Sequence, residues 1–183
     1  MTGNSDPGGP PRAAMIGALA LAVATIGAIL VVAVTRQSPS QPVVIPSVPA
    51  PQSASPGCQA LIAALPQRLG DFERAAVAQP VPDGASAWRP GADKDPVVLR
   101  CGLARPDNFV VGSPIQEVDR VQWFEVAAQS TGDAGRSTWY TVDRPVYVAL
   151  TLPAGSGPVP IQELSAVIER TIAAVPIDPA PAR

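Results

Sequence analysis

The chain has 183 residues, with 13 basic and 15 acidic side chains and no histidine. The net charge of −2 lacks the basic excess of nucleic-acid-binding proteins, so we expect no nucleic-acid partner. The lack of histidine excludes Ser-His-Asp and Cys-His catalysis and histidine-based metal sites, and two cysteines are too few for a thiolate zinc site. We therefore predict no metal, no cofactor and no catalytic residues.

The first element along the chain is an uncharged apolar run at residues 13–34. A helix of this length, at about 1.5 Å per residue, would span roughly 30 Å of hydrocarbon. The run exceeds the apolar core of a secretory signal, and no good cleavage site follows it, which favours an uncleaved anchor. We predict a disordered cytoplasmic tail at 1–12 and a transmembrane helix at 13–35, with the remainder outside the cytoplasm. Cleavage of the run, which would release a secreted domain, is the alternative.

Proline is abundant in the next segment, residues 36–57. Because proline fixes φ and lacks an N–H, this composition predicts an extended linker, which would reach about 60 Å at 3.1 Å per residue. Residues 58–176 are sufficient for one domain. A proline-rich stretch at 177–183 predicts a second disordered tail.

Within this domain the apolar pattern predicts helix, strands and helix. Leu61, Ile62 and Leu65 share one face of a short helix that begins at Cys58, and a second helix is predicted at 161–174. Alternation predicts strands at 97–103, 121–128, 136–142 and 146–152, whereas 80–96 reads as loop. We therefore predict an α+β fold, with a small antiparallel sheet of about four strands packed by an N-terminal and a C-terminal helix and preceded by one transmembrane helix.

The two cysteines, Cys58 and Cys101, fall in the first helix and the first strand of that prediction. An even count in an oxidising compartment favours a disulfide over two buried thiols. Such a bond would tie the helix to the sheet and stabilise the fold by roughly 4 kcal/mol.

Four other residues are candidates for binding: Arg100, Trp123, Asp143 and Arg144. Arg100 could hold a carboxylate or phosphate, or form a salt bridge with Glu125 or Asp119. Trp123 could line a groove for a glycan or peptide, or pack in the core. Asp143 could be one of a pair of hydrolytic carboxylates, or pair with an arginine such as Arg144.

Several short sequence motifs of the domain resemble those of one known family. They are CQALIAALP from Cys58, VVLRCGLARP from Val97, VQWF from Val121 and TVDRPVY from Thr141, together with Ala87-Trp88. Taken in their order along the chain, these motifs resemble the actinobacterial family called domain of unknown function 3515, over about residues 58–175. The resemblance implies an apolar N-terminal segment followed by a membrane-anchored or secreted domain with two cysteines. It implies no activity and no catalytic residues.

These observations predict a single-pass cell-envelope protein whose extracytoplasmic domain is a non-enzymatic binding or interaction module. Its expected partners are the membrane, through 13–35, and an envelope protein or wall component. One alternative is an envelope hydrolase or carbohydrate-active enzyme that uses carboxylates. Another is a domain that senses or carries a small ligand.

Overall fold

A computed structural model of the chain describes residues 12–35, 41–127 and 135–182. Outside the described residues lie 1–11 of the predicted tail at 1–12, 36–40 of the predicted linker at 36–57, residues 128–134, where the predicted strand at 121–128 ends, and the last residue. The chain divides into two compact units, Met1–Pro39 and Ser40–Arg183.

The described residues form three helices and eight strands. The helices are α1 (Arg12–Thr35), α2 (Pro56–Ala64) and α3 (Val159–Thr171). The strands are β1 (Arg68–Leu69), β2 (Phe72–Ala75), β3 (Ala85–Arg89), β4 (Val97–Leu103), β5 (Gln116–Val118), β6 (Val121–Ala127), β7 (Ser137–Thr141) and β8 (Tyr147–Leu152).

The first unit contains α1, in which the side chains described, at 15–29, are exposed. Across the described part of the chain, no helix is both long enough and apolar enough to cross a membrane. A helix does form where one was predicted at 13–35, but its assignment as transmembrane is wrong by this measure.

The second unit is built on one eight-stranded sheet with the order β1-β2-β3-β4-β8-β7-β6-β5, in which each neighbouring pair is antiparallel. Two meanders of four strands each, β1–β4 and β5–β8, meet where β4 pairs with β8. At this seam Leu99 lies opposite Leu150, and Arg100 lies opposite Ala149. The prediction of about four strands is therefore wrong, because it recovers only β4, β6, β7 and β8.

The strands missing from the prediction are β1, β2, β3 and β5, which have between two and five residues each. β1, β2 and β5 have four residues or fewer, too few to show a clear alternation, and β3 lies in a stretch rich in proline, glycine and aspartate. Their strand conformation comes from the neighbours with which they pair, which a single sequence does not reveal.

Both helices of the second unit pack on the same face of the sheet, and the main hydrophobic core lies between these two helices and the sheet. Its central side chains include Leu61 of α2, Leu164 and Ile168 of α3, and Leu99 and Leu150 of the sheet. The two helices lie within three residues of their predicted bounds. At the start of α2, the Ser55 hydroxyl accepts a hydrogen bond from the Cys58 backbone N–H.

The opposite face of the sheet is covered on one side by residues 41–50. Val43 and Ile45 are buried there against Ala87 and Val98. The Val43 N–H donates to the carbonyl oxygen of Ala76 at 2.8 Å, and such backbone pairing makes this stretch part of the domain. The structure thus differs from the predicted linker at 36–57, since apolar burial holds residues 41–50 of that stretch on the sheet.

On the other side of this face, residues 104–115 and the C-terminal segment form a second cover. Phe109 packs against Phe124 with ring centroids 5.2 Å apart. The Ala180 N–H donates to the carbonyl oxygen of Phe109, and Val111 N–H donates to that of Ala180. These backbone bonds hold most of the predicted disordered tail at 177–183 against the domain.

Candidate functional site

A cleft opens on the sheet between these two covers, over the central strands β4, β7 and β8. Its volume is about 370 Å³. Residues 48–49 and 103–107 form its walls, and Arg100, Thr138, Tyr140, Ala149 and Thr151 form its floor. We call this region the sheet-face cleft.

The cleft arises from the sizes of side chains that the register brings side by side. Ala149 on β8 lies between Arg100 on β4 and Tyr140 on β7. Neighbouring Cβ atoms across paired strands are about 5 Å apart, so a methyl group between two long side chains leaves a depression. In the adjacent row, the hydroxyl oxygens of Thr138 and Thr151 lie 3.1 Å apart and share a hydrogen bond.

Arg100 is the main positive charge of the cleft. Within the described residues, its one hydrogen bond runs from Nη2 to the Pro46 carbonyl oxygen at 3.5 Å, the long limit for such a bond, and its buried Nε has no partner there. Burial lowers the pKa of Arg100 from its usual value, and burial also raises the pKa of the Tyr140 hydroxyl against the opposing effect of Arg100. The guanidinium is thus partly desolvated while it stays charged.

The salt bridge considered for Arg100 does not form within the described part of the chain. Glu125 neighbours Phe124 along β6 and so points to the other face of the sheet. Asp119 lies in the tight turn between β5 and β6, where it has a positive φ of 47°.

Two further charged side chains border the cleft. Arg105 donates from Nη1 to the backbone oxygen of Asp178 at 3.0 Å, and the same nitrogen lies 3.4 Å from the Asp178 carboxylate. Asp107 is exposed on the same wall. Since Arg105 already has a carboxylate partner, Arg100 is the cation with unused bonding capacity.

The structure does not bring together the four residues considered for binding, because only Arg100 lines the cleft. Trp123 is fully buried in the core on the helix side, and its Nε1–H donates to the Ser165 hydroxyl at 3.0 Å. Asp143 and Arg144 form a buried ion pair with 2.7 Å between Nη1 and Oδ2.

The Asp143–Arg144 pair connects three parts of the chain. Arg144 donates from Nη2 to the Arg120 carbonyl oxygen in the β5–β6 turn, while the Asp143 carbonyl oxygen accepts from the Val175 N–H beyond α3. Asp143 Oδ1 and Arg144 Nε are buried and have no hydrogen-bond partner among the residues that the structure describes. In this position the pair holds the β7–β8 connection against the β5–β6 turn and the segment that follows α3.

Sequence reasoning missed Ala149 and the two threonines of the cleft. The available signal was the outward-facing set of β7 and β8, in which threonine and tyrosine alternate with core residues. Nothing in the sequence placed that set beside Arg100, because the β4–β8 pairing was not predicted.

The predicted disulfide is confirmed. Cys58 of α2 is bonded to Cys101 of β4, with 5.6 Å between their Cα atoms and both residues fully buried. Among the residues that the structure describes, no group of acidic or cysteine side chains is arranged to hold a metal ion.

The buried hydrogen bond of Trp123 gives a stability prediction. Ser165→Ala leaves the indole N–H unpaired in the core, so we expect the free energy of unfolding to fall by about 1–3 kcal/mol. Ser137→Ala is the matched control, because Ser137 accepts from Trp139 Nε1 at 2.9 Å in a half-buried setting where water can replace it. Urea unfolding measures both, and equal losses in the two variants would contradict the prediction.

A family model described as Protein of unknown function (DUF3515) matches residues 19–177. The match begins within α1 and ends beyond α3, so it includes the disulfide, the sheet-face cleft and the Asp143–Arg144 pair. No curated protein matches the chain, and no solved structure matches it.

Proposed function

We propose that the sheet domain of this chain, which belongs to the DUF3515 family, is a non-enzymatic module that binds a small ligand. The binding site is the sheet-face cleft, and the domain works outside the cytoplasm. The observation that carries the proposal is a cleft of about 370 Å³ whose floor holds an arginine without a carboxylate partner in the described chain. Ligand sites usually have volumes of about 300–1,000 Å³, so the cleft suits a small molecule.

The disulfide supports a location outside the cytoplasm. Cytosolic thiols are kept reduced, whereas disulfides persist in oxidising compartments. The Cys58–Cys101 bond joins a helix to a central strand, so it belongs to the core of the fold. A core disulfide of this kind suits a domain that is exported.

Binding is favoured over carboxylate-based hydrolysis by the positions of the acidic side chains. Glycoside hydrolysis uses two carboxyl groups about 5–9 Å apart on either side of a bond. Asp143 is buried in its ion pair with Arg144, and Glu125 lies on the opposite face of the sheet from the cleft. Of the residues that the structure describes, the one carboxylate that lines the cleft is Asp107, on a wall.

Blocking the cleft tests the proposal. Ala104 is exposed on one wall, so Ala104→Trp obstructs the cleft without altering the core. Ala64→Trp is the matched control, since Ala64 is also exposed, on α2 at the other face of the sheet. The probes are benzoate, phenyl phosphate, benzamide and benzylamine, added to the full chain and followed by ligand-observed NMR. For probes of this size we expect dissociation constants of roughly millimolar order.

The expected result is that at least one probe binds, that Ala104→Trp abolishes this binding and that Ala64→Trp preserves it. The proposal fails if none of the four probes binds, or if the blocked variant binds as well as the control.

A further inference from the structure

We infer that the ligand of the sheet-face cleft carries a compact oxyanion, a carboxylate or a phosphate monoester, and that the Arg100 guanidinium is its counter-ion. This inference rests on the proposed function and narrows it to a chemical class. The remainder of the ligand can contact the apolar part of the walls, formed by Val48, Pro49 and Leu103.

The first argument is the state of the Arg100 charge. A guanidinium that loses water needs compensating bonds, and a buried charge without a partner is costly. Arg100 has lost part of its water, and in return has one long hydrogen bond to the Pro46 carbonyl oxygen. A bound oxyanion would supply strong charge-assisted bonds to this group, and the planar guanidinium suits carboxylate and phosphate alike.

The second argument is the rigidity of the support. Arg100 belongs to β4, which pairs with β3 on one side and with β8 on the other. The disulfide at Cys101 fixes the next residue to α2. A charge on so constrained a backbone is already in position before the ligand arrives, which lowers the entropic cost of binding.

The third argument is the set of groups around the guanidinium. Tyr140, Thr138 and Thr151 present hydroxyl groups on the same floor, and hydroxyls can donate to an anionic oxygen. The other charged groups that line the cleft are Arg105, which is paired with Asp178, and Asp107. Repulsion from Asp107 disfavours a second anionic group beside that wall, so the ligand has a single compact anionic group.

The probe panel tests the inference through one matched pair of compounds. Benzoate and benzamide have nearly the same shape, and only benzoate is charged. We expect benzoate and phenyl phosphate to bind to the full chain at least about tenfold more tightly than benzamide or benzylamine. Added salt should weaken the binding of the two anions.

Three arginine variants show whether Arg100 is responsible for the preference for anions. Arg100→Gln should raise the dissociation constants of both anions at least about tenfold while leaving that of benzamide unchanged. Arg68→Gln is the control, because Arg68 is exposed on the edge strand β1 and pairs with Glu73. Arg100→Lys keeps the charge and loses the planar fork, so it should lie between the wild type and Arg100→Gln.

The inference is overturned if benzamide binds as tightly as benzoate, or if Arg100→Gln and Arg68→Gln bind the anions equally well. In either case a loss of binding in Ala104→Trp would leave the proposed function standing. Thermal unfolding of every variant shows whether the cleft is intact. Should Arg100→Gln unfold below the assay temperature, the comparison of benzoate with benzamide on the wild type decides alone.

Discussion

Removing the Cys58–Cys101 bond is expected to lower the free energy of unfolding by about 4 kcal/mol. The bonded residues are 43 apart in sequence, and a cross-link of this span removes a large share of the freedom of the unfolded chain. Domains of this size are stable by only about 5–15 kcal/mol, so the loss would shift the unfolding midpoint strongly. The measurement is urea unfolding of the wild type with and without dithiothreitol.

Three variants separate the bond from the packing of the sulfur atoms. Cys58→Ala and Cys101→Ala each break the same bond, so the double variant should lose much less than the sum of the single losses. The double variant should also be insensitive to dithiothreitol. Additive single losses, or a wild type that dithiothreitol does not destabilise, would show that the bond does not stabilise the fold.

Gly102→Ala is expected to destabilise the domain by about 3 kcal/mol or more. Gly102 has a φ of +89°, a conformation that side chains rarely adopt. An added Cβ would also overlap the backbone of Gln52 and Ser53, whose chain passes directly over this position and donates the Gln52 N–H to the Gly102 oxygen. Neither backbone segment can move without breaking its own contacts.

The chain offers a matched control for that substitution. Gly112 has the same φ of +89°, and an added Cβ there would meet nothing within 4 Å. Gly112→Ala should therefore show the conformational strain alone, about 1 kcal/mol. The difference between the two unfolding free energies isolates the steric overlap. If both variants lose the same amount, close packing at Gly102 is not the reason for glycine at this position.

The segment Leu99-Arg100-Cys101-Gly102 shows how much of the domain could be predicted from its sequence. Alternation placed Leu99 and Cys101 on one face and Arg100 on the other, because β4 is long and mostly apolar. The demands on Gly102 could not be predicted, since they come from residues fifty positions earlier in the chain. The same limit hid the cleft, because Ala149 and Tyr140 reach Arg100 through pairing of distant strands.

Residues 41–50 show a different limit. Their proline content predicts an extended backbone, and most of this stretch does lack regular secondary structure. An extended chain can nevertheless be part of a core when its apolar side chains meet a sheet. Val43 and Ile45 do so, and local composition could not distinguish that outcome from a free linker.

Trp123 and Arg144 illustrate the same problem for the candidate site. Each residue type is common in binding sites, yet here the indole and the guanidinium are both used inside the protein. Burial depends on the whole fold, so residue type alone overestimates how many such groups are available to a ligand.

The seam between β4 and β8 determines when the sheet-face cleft forms during folding. Arg100 comes from the first meander and Tyr140 from the second, so the site comes into being only when the two halves of the chain have joined. The disulfide lies entirely within the first half and does not require that joining. A ligand that bridges the halves would stabilise only completed molecules, by about 2.7 kcal/mol at a concentration one hundred times its dissociation constant. Occupancy would therefore favour molecules in which the two meanders are paired, and ligand should slow the proteolysis of the domain.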